Sequence, residues 1–242
     1  MRSSVVVIAV GQLLLLSSTV AAQKDSVPHP AHQRLPALTW IIPVGIVASA
    51  ALDPEMREWT LHTHTRSLDH FAKSVNHLGT TQRLVPALAL TYISAFLTGH
   101  ESLANGTLKT AAAYVASDLV ESALKPMIGR ERPHVEGNSH RFQPFTASGD
   151  WHSFPSAHVA HITSIAQAIS MQTRSGPVTA LCSSLVALVA WDRIYEDQHW
   201  TSDVTATVAL SSLVSGATVR WLESHLSRPR DADIIPSTLL HP

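Results

Sequence analysis

The sequence predicts an all-α protein, a single helical bundle whose chemistry sits at helix ends and in loops. Apolar and amphipathic runs with helical spacing recur along the 242 residues. Gly, Pro, Asn and polar breaks separate these runs, and no alternating run of convincing strand length competes with them. The chain is long enough for one domain with a sizeable core.

The elements follow in order. Residues 1–22 read as an export signal: Arg2, an apolar run from Val5 to Leu16, and Val20-Ala21-Ala22 ahead of a cleavage point at Gln23. An uncleaved N-terminal anchor is the alternative. A polar, Pro-containing linker covers 23–36, and the helical domain is expected over 37–226. Within it, helical runs fall at about 37–52, 55–78, 83–99, 108–128, 157–173, 177–196 and 201–225. Asn105-Gly106-Thr107, between two of these runs, reads as a turn rather than a glycosylation site. Cys182 is the sole cysteine and lies in an apolar stretch, so it reads as a packed thiol. The tail 227–242, with Pro229, Pro236 and Pro242, reads as disordered.

Composition narrows the function. A formal net charge of −1 leaves no electrostatic footprint for nucleic acid. A membrane-spanning helix needs ~20 mostly apolar residues. The runs 37–52, 84–98 and 177–191 are shorter, 203–221 is diluted by Thr and Ser, and 55–78 is too charged. The expectation is an exported bundle of the periplasm or cell envelope, membrane-associated or peripheral.

Three separated clusters carry the chemistry: Lys125 with Arg132-Pro133, then Pro155-Ser156-Ala157-His158, then Arg193 with His199 and Asp203. Lys and Arg clamps stabilise a transferring phosphoryl group, and Arg suits bidentate recognition of its oxygens. On a helix, His199 and Asp203 would share a face, where the carboxylate could fix the imidazole tautomer and leave the other nitrogen as nucleophile. His158 stands just inside a helix start, placed to act as a general acid. The first turn of that helix, opened by Pro155-Ser156, offers unpaired N–H groups to an anion. Glu121, four residues before Lys125, reads as half of a solvated helix pair. His158 and His161 mimic a metal pair at helical spacing, but no cluster with structural-zinc spacing accompanies them. No metal or cofactor is expected.

The series K-x6-RP, PSAH and R-x5-H-x3-D resembles the signature of the type-2 phosphatidic acid phosphatase and vanadium haloperoxidase superfamily, over roughly Lys125 to Trp221. The resemblance implies phosphate clamps at Lys125, Arg132 and Arg193 and further donors at Ser156 and the amide of Ala157. It also implies a general acid at His158 and a phosphorylated nucleophile at His199, oriented by Asp203. The implied substrates are lipid phosphates or small soluble phosphate esters. Two positions depart from the pattern: Ala157 stands where the family usually has Gly, and Asp192 replaces the usual Ser beside Arg193. A Cβ at 157 would crowd a bound oxyanion, and a carboxylate at 192 would repel one. The loop from Pro133 to Phe154 is expected to lie over the pocket. Two alternatives remain: a vanadate-dependent haloperoxidase, for which the chain is short, and a non-catalytic helical membrane protein.

Overall fold

The computed structural model describes residues 38–226. The export signal, the linker and the tail lie outside the described residues. Helices account for most of the described chain: α1 (Leu38–Ala51), α2 (Asp53–His62), α3 (Arg66–Asn76), α4 (Thr81–Leu97), α5 (Glu101–Ile128), a single turn α6 (Pro133–Glu136), α7 (Ala157–Thr173), α8 (Gly176–Tyr195) and α9 (Thr201–Leu226). No strand occurs among the described residues, only an isolated bridge between Arg130 and Phe142. The all-α prediction holds.

Two local expectations are corrected. The run 55–78 is broken: α2 stops at His62, and Thr65, with extended backbone, caps α3 by accepting a hydrogen bond from the Leu68 amide. A Thr hydroxyl gives the backbone an alternative to helix continuation, which apolar periodicity does not register. Asn105-Gly106 is not a turn but lies inside α5. A Cβ at Gly106 would come within 3.1 Å of the Gln172 side chain on α7, so the glycine serves close helix packing. The chain reverses earlier, at Gly99, whose φ is +73°.

α7 is the central element and packs against α5, α8 and α9. Val159, Ile162 and Ala166 of α7 join Cys182, Val186, Val189 and Ala190 of α8 and Val204 and Val208 of α9 in one buried cluster. The buried thiol of Cys182 is free, as expected. α9 is interrupted by Ser and Thr yet largely buried, because these side chains return their hydrogen bonds to their own helix. Thr205 donates to the Thr201 carbonyl and Ser215 to that of Ser211. Small hydroxyl residues satisfied in this way can enter a core without unpaired polar atoms.

α8 is long and apolar enough to cross a membrane, and 44% of its apolar window is buried within the fold. The expectation that the run 177–191 falls short is therefore corrected; the helix extends through Tyr195. On α4 and α5, Leu90, Ile93, Phe96, Leu97, Leu119 and Val115 are all at least half exposed.

The end of α5 shows how backbone geometry sets the site. Gly129 takes a left-handed conformation, φ 59° and ψ 47°, and terminates the helix. The chain then runs extended through Arg130 to Arg132, where the long loop is fastened to it. Gln143 N donates to the Gly129 carbonyl, Glu131 N to that of Arg141, and Ser153 N to that of Arg130. A Cβ at Gly129 would overlap the Gln143 carbonyl, whereas one at Gly99 would meet open space. Gly99→Ala should thus cost only the left-handed penalty of roughly 1–2 kcal/mol. Gly129→Ala should cost several-fold more or prevent folding, as read by urea denaturation; equal losses in the two variants would contradict this account.

Candidate active site

The three motifs meet at one end of the bundle. Lys125 lies in the last turn of α5, and Arg132 immediately precedes α6. Ser156 is the N-cap of α7, and His158 lies in that helix's first turn. Arg193 is in the last turn of α8, while His199 occupies the link to α9 and Asp203 the first turn of α9. Their convergence is visible in their electrostatics. The His158 imidazole is pushed down to about 3 by burial and then by Arg193, His161, Lys125 and Arg132. His199 is driven well below its ordinary value by burial, with Arg132, Lys125 and Arg193 adding to the effect. Arg132 is likewise lowered, by burial first and by the neighbouring Arg193 charge second. Three cations and two neutral imidazoles therefore face one another.

The helix start of α7 presents unpaired donors. Its first backbone hydrogen bond runs from Ala160 N to the Ser156 carbonyl, so the amides of Ala157, His158 and Val159 precede the ladder. Ser156 makes no side-chain cap, and its buried hydroxyl has no hydrogen-bond partner. A buried hydroxyl left unsatisfied is costly, and a phosphate oxygen would satisfy it. The Ser156 amide is already taken by the Thr207 hydroxyl at 3.0 Å.

His199 and Asp203 differ from the sequence expectation. They do not share a helix face, because α9 begins at Thr201 and His199 precedes it. His199 Nδ1 instead lies 2.5 Å from the Ser153 carbonyl oxygen. A carbonyl only accepts, so Nδ1 carries the proton and Nε2 keeps its lone pair in the neutral ring. The Ser153 hydroxyl donates to Asp203 Oδ2 at 2.5 Å. Asp203 thus reaches His199 through Ser153. The same Oδ2 accepts from the Trp200 amide at 3.0 Å, holding the start of α9 in the manner of a capping box. Burial holds the Asp203 carboxyl above its usual range, opposed by Arg130, the Ser153 hydroxyl and the Trp200 amide.

Arg130 anchors this network from below. Its Nη1 donates to Asp203 Oδ1 at 2.6 Å and its Nη2 to Asp53 Oδ2 at 2.8 Å, while Nε and Nη2 both reach the Ser139 carbonyl. Asp53, at the start of α2, also accepts from the Ser202 amide and hydroxyl. Phe142 and Trp200 flank the guanidinium. Sequence reasoning passed over Ser153, Arg130 and Asp53. Arg130 falls in the unspecified gap of the first motif, and Ser153 acts through a carbonyl, which any residue supplies.

The cations are held in different ways. Glu121 pairs with Lys125 and is almost fully buried, so the expectation of a solvated pair is corrected. Asp192 pairs with Arg193, both buried. Arg132 rests on neutral acceptors, the Gly149 carbonyl at 3.0 Å and the Gln198 side chain at 2.7 Å. Through Asp150, whose carbonyl accepts from the Arg132 amide, the 133–154 loop borders this part of the site.

An all-α bundle that gathers fixed cations, an open helix start and two neutral imidazoles is a scaffold for phosphate chemistry. The profile of the PAP2 superfamily matches residues 106–226, and the chain belongs to that superfamily. It is a phosphoric ester hydrolase. Two solved structures share the fold. Aquifex aeolicus LpxE superposes with a TM-score of 0.56 at 21% identity, over 70% of this chain and 95% of that one. The first transmembrane PAP2-type phosphatidylglycerolphosphate phosphatase from Bacillus subtilis gives 0.61 at 18% identity, over 78% of this chain and 97% of that one. No curated protein matches the sequence significantly.

The relay can be separated from the fold by mutation. Ser153→Ala keeps the carbonyl that orients His199 but removes the hydroxyl on Asp203, so kcat should fall roughly tenfold with KM nearly unchanged. Asp203→Ala also strips Arg130 of a buried partner and should destabilise the fold by on the order of 3 kcal/mol. Steady-state kinetics and urea melts measure the two effects; wild-type kcat in Ser153→Ala would contradict the relay.

Proposed function

We propose that the protein is a metal-independent phosphatase acting on phosphate monoesters or pyrophosphates through a phosphohistidine at His199. The observation that carries this reading is the His199 Nδ1 contact with the Ser153 carbonyl, which leaves the Nε2 lone pair free beside three cations. Lys125, Arg132 and Arg193 hold the phosphoryl oxygens, helped by the Ser156 hydroxyl and the amide of Ala157. His199 Nε2 attacks phosphorus, the N–P bond forms, and the bond from phosphorus to the leaving oxygen breaks. His158 gives its proton to that oxygen. In the second half, His158 takes a proton from water as the water oxygen attacks phosphorus, and the N–P bond breaks to release inorganic phosphate.

His158 must be protonated to serve as the acid, yet burial and the cations hold it down at about 3. A bound phosphate dianion offsets those cations and raises the imidazole, so the acid is charged only when substrate is present. Imidazole NMR tests this. Without ligand His158 should stay neutral through mild acid, and with vanadate its midpoint should rise by more than a unit. An unchanged midpoint would remove His158 from this role.

In this reading the charge on phosphorus is stabilised by the side chains of Lys125, Arg132 and Arg193, which act together on His158 and His199. Phosphate release should therefore survive chelation. His199→Ala should lose at least a thousandfold in kcat on a panel of lipid and soluble phosphate esters. Activity that vanishes with chelator and returns with one divalent ion would overturn the mechanism. The apolar surface of α4 and α5 and the apolar length of α8 support association with a membrane of the cell envelope and a phosphorylated lipid as substrate. A small soluble ester is the other arm of the panel.

A further inference from the structure

Arg193 enters the site already occupied. Its Nε donates to Asp192 Oδ2 at 2.8 Å, and its Nη2 reaches the same oxygen. Asp192 has no exposed surface, and its other oxygen, Oδ1, is buried without a hydrogen-bond partner. The Nε and Nη2 edge of the guanidinium, one of those able to grip an oxyanion in bidentate fashion, is thus spent on a carboxylate. A phosphate on any of the guanidinium donors would place two anions on one buried cation. Like charges held close together in a buried site disfavour each other's ionised form, so ligand and carboxylate compete for Arg193.

We propose that Asp192 sets the anion affinity of this clamp: it pairs with Arg193 and yields the guanidinium to phosphate by taking up a proton on Oδ1. The inference rests on the phosphate-site reading above. The proton comes from solvent, no covalent bond to phosphorus is involved, and the bound state keeps Arg193 as a cation facing the ligand alone.

The surroundings make proton uptake accessible near neutrality. Burial pushes the Asp192 carboxyl up to about 6, with Arg193 opposing and Glu196, just past the end of the same helix, adding to the rise. From α7 His158 faces Arg193, and from the loops Arg132 and His199 do so. On the neighbouring elements, Asp69 of α3 is bound by the Tyr195 hydroxyl and His64, and Arg57 of α2 is paired with Asp197. The sign follows from the raised carboxyl. Below its midpoint Asp192 is neutral and Arg193 is free for the ligand; above it, binding must draw in one proton, and affinity falls as pH rises.

Sulfate is the probe, because it keeps its charge throughout the window and is not hydrolysed. Its dissociation constant is measured calorimetrically for wild type, Asp192→Asn and Asp192→Ser from about pH 5 to about pH 8. Above the Asp192 midpoint, wild-type affinity should fall about tenfold per pH unit more steeply than that of either variant. Both variants should bind more tightly than wild type at the alkaline end. Any proton taken by His158 is common to all three proteins and cancels in the comparison. Parallel slopes, or weaker binding by both variants at every pH, would overturn the proposal and make Asp192 a scaffold for Arg193. Should the variants not fold, infrared difference spectra of wild type decide. A protonated carboxyl band appearing on sulfate addition at pH 7 supports proton uptake, and its absence contradicts it. Failure of the site reading looks different: sulfate would not bind at any pH and no phosphate ester would be hydrolysed.

Discussion

Asp203 has no access to solvent, and its two oxygens take a guanidinium from Arg130, a hydroxyl from Ser153 and an amide from Trp200. These donors come from the chain after α5, the loop before α7 and the link before α9. One carboxylate therefore sets the relative position of all three motifs. Burying it costs free energy, as its raised pKa records. Breaking such a buried pair typically costs ~3–5 kcal/mol. Asp53 extends the same constraint to α2, so Arg130 is held between two buried carboxylates. The consequence is a rigid floor beneath His199, whose ring is oriented by a backbone carbonyl that this floor positions.

Above the floor, the site stores positive charge. Lys125, Arg132 and Arg193 each act to lower the affinity of His158 and His199 for protons. Both imidazoles are neutral, His199 buried and His158 partly so. Because their folded values lie below the ordinary value of ~6.5, acidification beneath that point favours the unfolded chain. Glu121 and Asp192 compensate two of the cations from their own helices. On the proposed reading, a dianion bound here would relieve like-charge repulsion and satisfy the Ser156 hydroxyl, directing binding energy to phosphorus chemistry.

The fold class was legible because helical periodicity dominates the chain, and the three motifs were legible because charged and nucleophilic side chains recur at informative spacings. What escaped has physical reasons. The Thr65 cap divides the run 55–78 through one hydroxyl, and Gly106 lies within a helix because its missing Cβ makes room for Gln172. Asp53 joins the site across most of the chain, a contact with no local pattern. Ser153 contributes a carbonyl and a hydroxyl that no motif requires. The spacing of His199 and Asp203 suggested a direct contact, but the helix starts two residues after the histidine, and the serine fills the resulting gap.

The central claim is that His199 Nε2 forms a covalent bond to phosphorus. Rapid mixing of the purified protein with a phosphate ester, followed by alkaline quenching and peptide mass spectrometry, tests it directly. The account predicts a transient, acid-labile phosphate on the peptide bearing His199, which accumulates within one turnover and decays as inorganic phosphate appears. Turnover at full rate with no adduct at His199, or a phosphate carried by another residue, would contradict it.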